Sequence, residues 1–453
     1  MKPTLIPHSP FMPYDKDVSF YSTSFGHLTP WEFSGWKSES MSWKTGCYLH
    51  AGLNPNFRNR VTGPDALRLI QDAGINDFTR FSIGASKHGV MCNALGNTMA
   101  EGMILRLGED EFELMGHGPY VDYLVESGGY DVKSENLDAK TFLFQIAGPR
   151  SLDVMEALTG ESLKDLRFLW HRPSRIRRDG LLKRDIDIRV YRLGVSRTLA
   201  YEVHGDIADA QAVYAAILQA GAPFGIERLG MQGYGLNHTE GGFAQSFIHY
   251  LHAWTEDGEF MHFLGEQFGE ITAVLPGSAG PDITKRYANP YELGIGHLIT
   301  FDHDFRGREA LEKIARSPRR QIVTLEWNQD DVLEVYASQF RPDGDVQFMD
   351  FAANPIWQGY LSQHFADDVF VGERLVGMSS GRMFSYYYRQ MISLAIVETA
   401  HANPGDALEV LWGEPGTRQK RIRAVVRRFP YIDLPFNRNI DTSVVPPAVE
   451  QES

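Results

Sequence analysis

The chain has 453 residues, 43% apolar and 23% charged, with a net charge of −14. That length exceeds one compact core and implies two to three domains; the acidic balance argues against nucleic-acid binding and against an anionic membrane surface, since both need Lys and Arg in excess. Two cysteines without ligand spacing, Cys47 and Cys92, exclude a disulfide framework and point to a reducing cytoplasm, and no run reaches the ~20 apolar residues of a membrane span.

The first sixty residues are dense in aromatics, among them Tyr14, Phe25, Trp31, Phe33, Trp36 and Trp43, which suit a core, a domain interface or an aromatic ligand's pocket. Three octets begin with a glycine and run into apolar helix spacing: Gly63–Ile70, Gly148–Met155 and Gly307–Ile314. Each predicts a turn that opens an amphipathic helix. Between the first two, 102–107 and 111–115 read as a β-hairpin, with Glu101 just before its incoming strand. The segment 141–147 is a strand broken by one amide, Gln145, which is a satisfied edge position or a ligand hook. The basic stretch from Arg172 to Arg189 is a solvated hairpin or a site for a polyanionic ligand tail. Strands follow at 185–193 and 199–205, then a helix over 207–220 capped by Asp206.

Gly233 to Gly242 holds four glycines together with Tyr234, Asn237, His238 and Glu240. Glycine permits positive φ and close ligand approach, so this stretch reads as a loop, either a pocket wall or a polar surface turn, and not as a helix. From Gln321 onward, short strands alternate with Gly, Pro and Asp turns, as in a small β-barrel or sandwich. The expected division is a core over 1–320, built of two interleaved α+β halves (roughly 1–145 and 146–320), a C-terminal β-domain over 321–445 and a tail over 446–453.

The histidines form no metal motif, and no P-loop or strand-borne GxGxxG is present. One GxSxG match, Gly377 to Gly381, lacks the following helix of a nucleophile elbow and reads as a strand end and turn. Glu202, inside an apolar strand, needs partners to offset its desolvation. Arg192 or Arg197 could pair with it, and so could a ligand presenting two parallel N–H donors, such as a pterin or guanine edge.

Tyr287-Ala-Asn-Pro-Tyr-Glu-Leu-Gly-Ile-Gly296 and Phe301-Asp-His-Asp-Phe-Arg-Gly-Arg-Glu-Ala-Leu311 resemble signatures of the glycine-cleavage aminomethyltransferase superfamily. Glu32-Phe33-Ser34, Phe144-Gln145-Ile146, Trp327-Asn328 and Leu411-Trp412-Gly413-Glu414 extend the match over most of the chain. Within that superfamily the sequence is most similar to tetrahydrofolate-dependent aromatic O-demethylases of the vanillate, syringate and 3-O-methylgallate type. The resemblance implies a three-domain, cloverleaf-like α+β fold with a β-barrel-like C-terminal domain. It also implies an O-methyl transfer from a methoxylated aromatic acid to tetrahydrofolate, without metal, nucleic acid or membrane. An N-methyl or S-methyl donor, or a folate-binding protein without activity, stands as the alternative; whether the chain is a monomer or an oligomer is left open.

By the same resemblance, Tyr234 serves the transfer, while Glu202 grips the pterin and Gln145 and Phe243 position it. Asn237, Glu240 and Glu101 fall on cofactor-side positions. The substrate side departs from the vanillate type: His117 stands where an Arg takes the substrate carboxylate, Phe25 replaces a Tyr, and the neighbourhood of Pro55, with Asn54 and Asn56, replaces a His. His117 if protonated, Arg58 or Arg80 could then supply the missing charge.

Overall fold

The computed structural model describes residues 5–444 except 56, 179–180, 270–272, 343, 355–356 and 359–360; the 446–453 tail and Asn56 lie outside the described residues. The apolar and alternating stretches pair into a six-stranded sheet, a five-stranded sheet and a closed barrel, beside two two-stranded pairs. One sheet runs in the order His171–Ile176, Ile186–Tyr191, Ala200–Asp206, Thr141–Ala147, Cys47–His50, Ile226–Arg228, with only the last pair parallel. The other runs Ser86–Cys92, Thr98–Arg106, Glu111–Met115, Arg58–Thr62, Lys133–Asn136. Early strands thus enter both sheets, because Cys47–His50 pairs with Thr141–Ala147 while Arg58–Thr62 pairs with Glu111–Met115.

The three glycine-led octets open the helices Ala66–Ala73, Ser151–Thr159 and Arg308–Arg316. Asp206 accepts from the backbone of Ala208, and the expected helix starts as a 3-10 turn, Ile207–Asp209, before Ala210–Gly221. The basic stretch is the hairpin His171–Ile176 with Ile186–Tyr191, and its outer guanidiniums are paired: Arg172 with Asp165, Arg175 with Asp187, Arg177 with Asp185, Arg184 with Asp209.

The C-terminal strands close a six-stranded barrel in the order Arg320–Trp327, Gln390–Glu398, Arg374–Ser385, Ala366–Val371, Ala407–Trp412, Lys420–Arg427. Closure removes the sheet edges that such short strands would otherwise expose. The GxSxG stretch is neither a strand end nor an elbow. It lies inside Arg374–Ser385, where the register shifts between Ser380 and Met383 and Gly381 takes φ 60°. Ser379 there bonds Ser393, which in turn accepts from the Trp327 indole, so its hydroxyl is tied into the barrel core.

Two other sequence expectations are corrected. Glu101 lies within the strand Thr98–Arg106, not before it. The stretch read as a loop is the helix Met231–Gly241, ended by Gly242 at φ 65°. Interior glycines cost a helix about 1 kcal/mol each, but tertiary packing outweighs that here. A Cβ on Gly230 would stand 2.2 Å from the Trp31 carbonyl oxygen, and one on Gly233 would stand 2.4 Å from a Leu229 methyl. The glycines are there for close packing of the helix, not for a bend. Glu39 ties its entry down, accepting from the backbone N–H groups of Phe33, Ser34 and Gly35 and, at 2.7 Å, of Gly230.

Candidate active site

A cavity of about 860 Å³ opens between the two sheets and the helix Met231–Gly241. Strand register builds its floor. Glu202 lies directly opposite Gln145, and Gln145 directly opposite His50, so three adjacent strands set these side chains in one row on one face. Glu202 and Gln145 line the cavity while being only 4% and 1% exposed.

The row is wired from below. The Tyr48 hydroxyl donates to Gln145 Oε1 at 2.6 Å and accepts from Asn237 Nδ2 at 3.1 Å, which leaves the Gln145 amide N–H groups to point elsewhere. Arg58 Nη2 donates to His204 Nδ1 at 3.2 Å, and His204 Nε2 lies 3.0 Å from Glu202 Oε2. A guanidinium only donates and a carboxylate accepts, so His204 is the neutral Nε2–H tautomer, and burial holds it well below the usual imidazole range. Burial pushes the Glu202 carboxyl up to about 7; the Arg58 charge and a Gln145 hydrogen bond offset only part of that. Neither arginine suggested as its partner takes that role. Arg192 binds Asn437 and the carbonyl of Ile440, and Arg197 donates to the Gly241 carbonyl.

The helix forms the wall, and helical periodicity divides its polar residues. Tyr234 and His238, four residues apart, line the cavity. The Tyr234 ring is 5% exposed and stacks on His50 with centroids 4.3 Å apart and planes 6° from parallel. Burial pushes its hydroxyl well above the ordinary phenol value, so Tyr234 is a neutral donor at physiological pH. Asn237 and Glu240 face the other way, toward Tyr48 and the helix Trp36–Thr45. Glu240 does not line the cavity: it binds Lys44 Nζ and Ser385 Oγ, each at 2.6 Å, with Lys44 and Glu240 both fully buried. Glu240→Ala would leave the Lys44 ammonium, already lowered to about 8 by burial, without its carboxylate. The expected loss of stability is about 3–5 kcal/mol, read as a lower urea midpoint; an unchanged midpoint would contradict the pairing.

The opposite wall carries Glu101, paired with His88 Nε2 in a charge-assisted contact. Burial pushes this carboxyl up, but the His88 hydrogen bond and charge, with His252 behind them, hold it below its usual value. Phe243 packs between His88 and His238 at centroid distances of 5.7 and 5.6 Å. Phe25 sits at the hairpin turn with φ 46°, a left-handed conformation uncommon outside glycine, and meets Phe57 edge-on at 5.7 Å. Both rings line the cavity.

The three residues suggested for a substrate carboxylate do not supply a free cation. Arg58 is 1% exposed beneath the floor, engaged by His204, Met115 and Glu113. Arg80 is exposed and outside the cavity lining. His117 lines the cavity, but burial lowers it to about 4, and its Nε2 is spent on the Gly89 carbonyl at 3.1 Å. Asn54 holds the turn beneath Pro55 through the backbone of Ala51 and Leu143 and does not line the cavity, whereas Pro55 does. Sequence reasoning missed His50, His88, His204, Tyr48 and Lys44, all brought in by pairing or packing.

The GCVT N-terminal domain model matches residues 17–250. The chain belongs to that family. It is an enzyme of the aminomethyltransferase superfamily, as the signature residues implied. It is 39% identical over 442 residues to a sesamin methylene transferase of Sinomonas sp., covering 95% of this chain and 96% of that one. It is 29% identical over 426 residues to a syringate O-demethylase of Sphingobium sp., with 89% of each chain covered. Its fold superposes on the glycine cleavage system aminomethyltransferase T of Bartonella henselae with a TM-score of 0.65 at 16% identity, covering 93% of this chain and 96% of that one. No helix among the described residues is long and apolar enough to cross a membrane.

Proposed function

We propose that this enzyme moves a one-carbon group from the aryl ether oxygen of a methoxy-aromatic donor to tetrahydrofolate, leaving a phenol. The observation that carries the reading is the row His50–Gln145–Glu202 beneath Tyr234: a buried carboxyl that, among the described residues, has no arginine or lysine ion pair, beside a neutral buried phenol, in one cavity. Glu202 and the adjacent Gln145 amide suit the two N–H donors and the acceptor of a pterin edge. Glu101 and Phe243 would complete that side, while Phe25, Phe57 and Tyr234 bound the donor ring.

Tetrahydrofolate, when bound, supplies the nucleophilic N5 that accepts the carbon. Aryl ethers part with their alkyl group reluctantly because phenolate is a poor leaving group. Tyr234 lowers that barrier by hydrogen-bonding the ether oxygen and passing its proton as the carbon–oxygen bond breaks. Tyr234 would regain its proton from the acceptor amine, which gives one up on alkylation, so the net exchange would need neither oxidant nor reductant. The cavity walls would hold donor and acceptor in line, and their apolar lining would limit water at the reacting atoms.

The 39% relative is named for methylene transfer, which supports a second reading: the carbon bridges two ring oxygens and leaves as methylene. The mass of the folate product separates the two. Two buried free cysteines, Cys47 and Cys92, support a place in the cytoplasm, and the donor class supports a role in aromatic catabolism. The test is phenol release from a methoxyarene with and without tetrahydrofolate; release at equal rates without it sinks the proposal.

A further inference from the structure

We propose that the donor ring is uncharged: the chamber takes an aryl ether that bears no carboxylate. This rests on the transfer reading above and specifies its substrate class. The donor side is bounded by Phe25, Phe57, Met103, Met115, Leu53 and Leu143, all of which line the cavity. Met103 and Met115 are cross-strand partners and form one continuous apolar strip.

The polar groups that reach this side are acceptors or are already engaged. A carbonyl oxygen can only accept, so the Nε2 of His117 carries its hydrogen toward Gly89, and the neutral ring keeps a lone pair at Nδ1. That nitrogen, buried and without a hydrogen-bond partner, offers a carboxylate no proton. Arg58, the nearest guanidinium in sequence, is covered by the floor and held by His204 Nδ1 at 3.2 Å and Met115 Sδ at 3.3 Å. Arg197 and Arg438 do line the cavity, but both guanidiniums stand over the Phe436 ring at 5.1 Å, and Arg197 also donates to the Gly241 carbonyl. Both are thus already placed over a ring, Phe436, that lines the same cavity. Lys2 is the only Lys or Arg outside the described residues.

Two carboxyls, Glu101 and Glu202, already face the same cavity, and Glu101 is kept ionised by His88. An incoming anion would meet like charge while the two arginines that line the cavity stand over Phe436, and burying a charge that is not fully compensated is what a selective site uses to reject a ligand. An uncharged arene meets no such penalty and gains from the apolar strip.

The experiment compares matched donors that differ only in the carboxylate: guaiacol with vanillate, 2,6-dimethoxyphenol with syringate, and 1,3-benzodioxole with its 5-carboxylate. Each is supplied with tetrahydrofolate, and the folate product is followed by mass. The uncharged member is expected to exceed its acid in kcat/KM by at least ~10²-fold. His117→Arg and Phe57→Arg, each checked for folding by circular dichroism, should shrink that ratio by raising use of the acid. Phe57 is 41% exposed against 1% for His117, so its variant keeps the test open even if His117→Arg fails to fold. Acids used as well as or better than their partners overturn the inference while leaving the transfer reading intact. No folate product from any of the six donors ends the transfer reading and this inference with it.

Discussion

Tyr234→Phe is expected to lower turnover by roughly 10²–10⁴ while tetrahydrofolate affinity stays within twofold or so of the parent. The substitution is conservative in shape. The ring's stack on His50 and its edge contact with His238, at 4.3 and 4.8 Å, involve no hydroxyl, so phenylalanine keeps the packing. Only the donor hydroxyl is lost. Because burial keeps that hydroxyl neutral, the parent enzyme should show no alkaline limb from Tyr234 in its rate profile, and the loss in the variant should be uniform across pH. Single-turnover measurement isolates the chemical step from product release. A variant as fast as the parent would remove Tyr234 from the mechanism and favour a donor whose leaving group needs no proton.

Glu202→Ala is expected to weaken tetrahydrofolate by about 1.5–3 kcal/mol, the worth of a hydrogen bond to a charged group. The parent should add a pH signature of its own. With the carboxyl raised to about 7 and the pterin edge favouring the carboxylate, affinity falls as pH drops below about 7, and it levels off above. The sign for stability is opposite. The unfolded chain releases this proton first, so the folate-free protein loses stability as pH rises from the ordinary carboxyl range through about 7. Calorimetric titration at several pH values should therefore show a slope in the parent that Glu202→Gln abolishes. Equal affinity in Glu202→Ala and the parent would exclude Glu202 as the pterin anchor.

Glu202 and Gln145 were legible in the sequence because each interrupts an apolar strand, and a polar residue in such a run asks for a partner. Their meeting is a matter of register, which places them opposite one another. The helix carrying Tyr234 was misread for a physical reason. Glycine-rich composition weighs toward a loop, yet here the missing side chains admit Trp31 and Leu229 to close contact. Reading a loop put Tyr234, Asn237 and Glu240 on one wall, whereas a helix turns Asn237 and Glu240 away from it.

Other partners lay too far apart in sequence for local pattern to join. Lys44 meets Glu240 across 196 residues, Arg58 meets His204 across 146, and Tyr48 meets Gln145 across 97. His88 is the one omission with a local signal. Asn93–Asn97 is a turn between two apolar runs that predicts the hairpin, and a one-residue register shift at Met91 and Cys92 then pairs Val90 with Glu101 and sets His88 diagonally beside that carboxylate.

The most direct test of the central claim follows the carbon itself. A methoxyarene labelled with ¹³C in the methoxy group is mixed with stoichiometric enzyme and tetrahydrofolate, and the products are observed by NMR. Transfer predicts one equivalent of phenol and the label wholly in the N5-methyl resonance of the folate. Phenol formed with the label in methanol or formaldehyde instead would contradict it.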